Sequence, residues 1–171
     1  MVTLDPSRTG FDADEPRVRP YSSEDFRWGL SLLDMTGGRY RVRRGKVVDV
    51  ATQPGLVACR GDERVGLVTL ARHREALELA VLCVAPFDDE VSALLINAAR
   101  TYAGPTCRRL FSICSNAELE VQRSLQVYGF QIAACRPGSV EAVRHRSTDP
   151  IVEQLGELAV RDELEFDWLL P

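Results

Sequence analysis

Leu77-Glu78-Leu79-Ala80-Val81-Leu82-Cys83-Val84-Ala85-Pro86-Phe87-Asp88-Asp89-Glu90-Val91 is the stretch on which the fold turns. From Leu77 to Val84 the chain is a nearly continuous apolar run interrupted by Glu78, the pattern of a strand buried in the middle of a sheet. Val91, Leu94, Leu95, Ala98 and Tyr102 then recur at helical spacing, which predicts a helix over 89–103 packed on that sheet. Asp88, Asp89 and Glu90 stand directly before the apolar stripe. There a helix N-terminus favours negative charge, and a short acidic side chain can accept from its free N–H groups. A buried strand followed by a sheet-packing helix indicates an α/β domain.

Working outward, Leu56 to Cys59 and Val65 to Ala71 flank Gly61-Asp62 and read as a hairpin. Arg17-Val18-Arg19-Pro20 reads as a short edge strand. Ser22-x-x-Asp25 resembles a capping box, and Phe26, Leu30 and Leu33 continue it as a helix that Gly37-Gly38 ends. Downstream, Arg109 to Ser115 is a strand. Leu119 to Tyr128 is a second sheet-packing helix closed by Gly129. Phe130 to Arg136 and Leu164 to Trp168 are the last strands. The order β-α-β-β-β-α-β-α-β-β describes one mixed sheet with helices on its faces. The polar, acidic residues 1–15 read as a flexible tail, and 16–171 as a single domain. Arg39 to Lys46 packs five cations into eight residues, which suits either an anion-binding patch or, as its alternation also fits an exposed strand edge, a solvated connecting segment.

The totals bound the function. A chain of 171 residues with 45% hydrophobic and 27% charged residues has the composition of one soluble domain. Its net charge of −4 argues against nucleic acid as a partner. The five cysteines are odd in number and lack a C-x-x-C pair, so they predict neither a disulfide framework nor a zinc site. Free thiols in a reducing compartment are the simpler reading. His73 and His145 read as surface residues of arginine-rich segments. No apolar run approaches membrane-spanning length and no signal peptide opens the chain, which predicts a cytoplasmic protein without a membrane partner.

Several local matches lie in one consistent order. Gly55-Leu56-Val57-Ala58 and Arg64-Val65-Gly66-Leu67-Val68-Thr69 are followed by Glu78-Leu79-Ala80-Val81-Leu82. Cys107-Arg108-Arg109-Leu110 then leads to Ser115-Asn116, Gln126 precedes Tyr128-Gly129-Phe130, and Arg161-Asp162-Glu163-Leu164-Glu165 closes the series. Together they resemble the small acetyl-CoA-dependent N-acetyltransferases of the GNAT superfamily. The resemblance implies a mixed, mostly antiparallel sheet flanked by helices and splayed between its fourth and fifth strands, with acetyl-CoA as cosubstrate in the splay and no metal. It places Glu78 at the position of the carboxylate that takes the amine's proton, a role that contributes about 10²–10⁴ in rate. It places Leu82, Val84 and Asn116 where the cofactor arm is held.

The resemblance breaks at three points. The family's Q/R-x-x-G-x-G/A loop, whose glycines let the backbone approach a diphosphate at a helix N-terminus, is replaced by the shorter Ala85-Pro86-Phe87-Asp88-Asp89-Glu90-Val91. The family's thiolate-protonating Tyr is Leu125. Its N-D-N turn reads Asn116-Ala117-Glu118. These departures predict a degenerate active site in which acetyl transfer is weak or lost while binding of a small amine or a protein partner is retained. A second copy of the chain is one candidate partner. The alternative is an active N-acyltransferase that holds its acyl-CoA in an atypical way, through the Arg39–Lys46 segment or Arg100.

Overall fold

The computed structural model describes residues 15–147, 150–155 and 159–170; residues 1–14 of the expected tail lie outside them. The elements run β1 (Arg17–Pro20), α1 (Phe26–Met35), β2 (Tyr40–Arg43), β3 (Lys46–Asp49), β4 (Gly55–Arg60), β5 (Glu63–His73) and β6 (Ala76–Val84). They continue with α2 (Asp89–Ala103), β7 (Arg109–Ser115), α3 (Leu119–Val127), β8 (Gln131–Arg136), α4 (Ser139–Arg146) and β9 (Glu163–Leu169). Seven strands form one sheet in the order β1-β4-β5-β6-β7-β9-β8, and β2 and β3 make a separate hairpin. All neighbours are antiparallel except β6 and β7. This is the mixed, mostly antiparallel sheet that the resemblance implies.

The splay has a local cause. β6 and β7 pair only at Ala76↔Arg109, Leu77↔Leu110 and Glu78↔Phe111. Directly afterwards the β5–β6 register slips: Thr69 pairs with Val81 while Leu70 pairs with Leu79, so Ala80 is an extra residue. Such a bulge bends its strand and adds twist. β6 therefore turns away from β7, and Leu82 to Val84 face a gap. The Ser112 hydroxyl donates to the Leu79 carbonyl at 2.9 Å as the last bridge before it.

Two apolar layers cover the sheet. On one face Leu77, Leu79, Leu110 and Phe166 pack with Leu95 and Ile96 of α2 and Leu125 of α3. On the other, Leu32 and Leu33 of α1 pack with Val57, Leu67, Val81 and Cys83. The α2 boundaries agree with the expected 89–103, but its buried face is rotated. Val91, Ser92, Leu95, Ile96, Ala99 and Ala103 are buried, whereas Tyr102 is 47% exposed, with the Arg72 guanidinium 5.7 Å from its ring centroid. Close approach to β5 sets that face. A Cβ on Gly66 would lie 2.9 Å from both Val91 and Leu95 side chains, so the glycine lets the helix sit directly on the strand.

Two elements lie beyond the sequence reading. The arginine-rich segment expected as a connection is the β2–β3 hairpin, and α4 follows β8. They meet through a small cluster of Val42, Val140, Val143, Val152 and Leu155. The hairpin also docks on the sheet through charge. Arg44 reaches Glu165 at 2.6 Å, and that carboxylate also receives Arg109 and Arg136, each at 2.5 Å.

Candidate functional site

Glu78 occupies the last rung before the splay and is 7% exposed. Both its oxygens are engaged. Arg43 Nε donates to Oε1 at 3.1 Å, and His73 Nε2 lies 3.0 Å from Oε2. Arg43 reaches further: its Nη2 donates to the carbonyl of the bulged Ala80 at 2.5 Å. The β2–β3 hairpin thus places a guanidinium at the mouth of the splay. His73, expected as a surface residue, keeps half its side chain in solvent yet sits directly on the candidate base.

A cavity of about 710 Å³ opens beside the splay, between β6, the end of α1, the hairpin and the start of α3. Leu82 and Val84 line it; Asn116 does not. Instead the Asn116 carbonyl accepts from the backbone N–H groups of Arg161 and Asp162 at 2.9 and 3.1 Å, and its amide donates to the Ala159 carbonyl at 3.0 Å. Asn116 thereby ties the segment entering β9 to the end of β7. Leu125 is fully buried in the core, while the preceding Ser124 places a hydroxyl without a hydrogen-bond partner on the cavity wall. Cys83 also lines the cavity, but burial pushes its thiol up to about 11, which removes it as a nucleophile near neutral pH. No group of three or more metal-ligating side chains stands together among the described residues.

The N-terminus of α2 is closed on itself. Asp88 Oδ1 accepts from the N–H groups of Glu90 and Val91 at 2.8 and 3.2 Å. Arg60 Nη2 bridges Asp88 and Glu90, each at 2.8 Å, and Arg123 pairs with Asp89 at 2.6 Å. Two of the donors a diphosphate would use are taken by the Asp88 carboxylate, and all three carboxylates of the turn are matched to guanidiniums. Asp88→Ala is expected to lower stability by about 1 kcal/mol in urea denaturation, with Asp88→Asn near wild type, because Asn caps nearly as well as Asp. The larger share of helix stability comes from burying Val91, Leu95 and Ile96, at about 1.5–3 kcal/mol each.

The anion-patch reading of Arg39 to Lys46 gives way to an internal one. Arg39 pairs with Asp49, Arg41 with Glu118 at 3.3 Å, Arg43 with Glu78 and Arg44 with Glu165. Arg100, the other candidate, lies over the Trp168 ring at 5.2 Å. Sequence reasoning reached Arg41 and Arg43 only as members of a cationic segment, and did not single out Ser124 or Glu163 as site residues. The partners of Arg41, Arg43 and Glu163 are distant in sequence, so no local pattern marks them.

No family model matches the sequence, and no curated protein matches it. Solved structures do. The chain is similar to an IAA acetyltransferase from Bacillus cereus at 20% identity and a TM-score of 0.65, over 91% of this chain and 100% of that one. A GNAT family acetyltransferase from Elizabethkingia anophelis, solved with acetyl-CoA bound, matches at 16% identity and a TM-score of 0.62, over 92% and 99%. An acetyltransferase from Bacillus subtilis in complex with CoA matches at 16% identity and a TM-score of 0.57, over 92% and 100%. The chain has the fold of the GNAT acetyltransferases. Among the described residues no helix is long and apolar enough to cross a membrane.

Proposed function

We propose that this chain uses the GNAT cavity to bind a small amine, and that acetyl transfer from acetyl-CoA is weak or lost. One observation carries the reading: the α2 N-terminus, where this fold offers a diphosphate its best site, is capped by Asp88 and flanked by Asp89 and Glu90. Against the two guanidiniums of Arg60 and Arg123, the three carboxylates leave a net single negative charge, which at about 5 Å from a diphosphate costs roughly 3 kcal/mol per unit charge at an effective dielectric near 20. That is about a hundredfold in affinity. The placement of Glu78 supports the same reading: it is nearly buried between Arg43 and His73 and does not line the cavity.

Calorimetric titration with acetyl-CoA at moderate salt is the test. Dissociation in the high micromolar range or weaker is expected, with no acetyl transfer above background to lose in Glu78→Gln. Sub-micromolar binding, or turnover that falls about 10²-fold in Glu78→Gln, would favour the second reading, an active N-acyltransferase with an atypical acyl-CoA mode. One feature favours that alternative: Arg60 and Arg123 already stand at the start of α2.

A further inference from the structure

The cavity holds a buried acidic group that the protein only half satisfies. Glu163, the first residue of β9, is 1% exposed and lines the cavity. Its Oε1 accepts from the Arg44 backbone N–H at 2.9 Å, but its Oε2 has no hydrogen-bond partner. Buried polar atoms are nearly always paired, and a buried carboxylate oxygen without a donor is among the most costly exceptions. The charge balance of the cavity gives the missing donor its sign. Arg41 and Arg43 are the basic side chains lining it among the described residues, and each already faces a carboxylate, Glu118 and Glu78 respectively. Arg41 Nε is itself without a hydrogen-bond partner, but by charge the two guanidiniums are matched, while the lining acids Asp34, Glu120, Glu153 and Glu163 face no guanidinium among the described residues; the lining is net negative and suits a cationic ligand, with Glu163 its buried acid. Val42, Val140 and Val160 supply apolar wall, and Met35 and Leu119, 72% and 68% exposed, add apolar surface that remains open to solvent.

We propose that Glu163 is the anchor for the cationic head of an amphiphilic ligand, an ammonium or guanidinium joined to an apolar body. The head donates to Oε2, and the body lies along the apolar wall. This rests on the reading that the cavity holds a small molecule, and it adds a binding residue separate from Glu78.

Phenethylamine, phenethyl alcohol and hydrocinnamate share an apolar body and differ in head-group charge. Titrated into the full chain and followed by protein NMR, the amine should bind about tenfold or more tighter than the alcohol, with hydrocinnamate weakest. Glu163→Gln keeps the shape and an oxygen for the Arg44 N–H, and should bring amine and alcohol within about threefold of each other. The wild-type ranking is a test in itself and needs no variant to fold. Equal binding of all three by the wild type, or an amine preference that survives Glu163→Gln, overturns the Glu163 assignment and leaves the ligand-binding reading standing. Absence of binding by all three overturns both. Tight acetyl-CoA binding would sink the loss of transfer without touching Glu163.

Discussion

Glu165→Ala is expected to destabilise the fold by about 3–5 kcal/mol, the cost of removing one partner from a buried ionic group. Glu165 is 4% exposed and holds together three segments: Arg44 of the hairpin turn, Arg109 of β7 and Arg136 of β8. Its loss leaves three guanidiniums crowded on one sheet face, with Asp167 still paired to Arg109. Burial pushes the Glu165 carboxyl up, and the guanidiniums of Arg44, Arg109 and Arg136 more than offset this, so that it lies at about 2 instead of its ordinary 4.5. A group held down in the folded state binds its proton more readily when unfolded. Its contribution is therefore fully present above about 4.5 and is lost as the pH falls toward about 2. Asp25, held well below the usual carboxylate range chiefly by Arg19, adds to the same slope. Urea midpoints measured from pH 7 down to pH 3 should fall less steeply for Glu165→Gln than for the wild type. Parallel slopes would show that the network contributes nothing to acid sensitivity.

Neutralising the start of α2 should have the largest effect on cofactor affinity. The triple variant Asp88→Asn, Asp89→Asn, Glu90→Gln keeps a capping side chain at position 88 and removes three negative charges. It also releases Arg60 from Asp88 and Glu90, and Arg123 from Asp89. Acetyl-CoA affinity is expected to rise by about one to two decades, the size of the repulsion removed. Calorimetry on the variant checks this, with rising salt as the control, since a gain built on charge must shrink as salt screens it. An unchanged affinity would mean that the shortened backbone connection, not its charge, keeps the diphosphate out.

Much of this architecture was legible where the signal is local. Helix α2 starts at an acidic run whose first residue caps it. The central part of β6 follows from an uninterrupted apolar run, and β7 from one broken only by Ser112. The face of α2 was read less well, because the stripe through Leu94, Ala98 and Tyr102 competes with the one through Leu95, Ala99 and Ala103, and contact with Gly66 decides between them. The hairpin was hidden for a different reason. Arg41 and Arg43 look like solvated charges, yet each is buried against an acid, Glu118 and Glu78, far along the chain. Helix α4 escaped because its buried side carries only Val140 and Val143 among arginines. At the site, Leu82 and Val84 line the cavity, while Glu78 stands at the last rung before the splay and does not line it. Glu163 reads as one more acid in an acidic stretch, and its unpaired oxygen is visible only in three dimensions.

The bulge at Ala80 also determines how force passes through the molecule. Beyond it the sheet is two half-sheets: β1, β4, β5 and β6 on one side, and β7, β9 and β8 on the other. Three residue pairs, Ala76 to Glu78 against Arg109 to Phe111, hold the halves together along their shared edge. Each half has its own ladder, but one apolar layer, Leu95 and Ile96 of α2 with Leu79, Leu110 and Phe166, runs under both. Load applied across the splay therefore falls on those three rungs and on that shared apolar layer, while the ladders inside either half are spared. Arg43 ties the hairpin to Glu78 and Ala80 of β6 and the next residue, Arg44, ties it to Glu165 of β9, so the hairpin is a brace across the two halves.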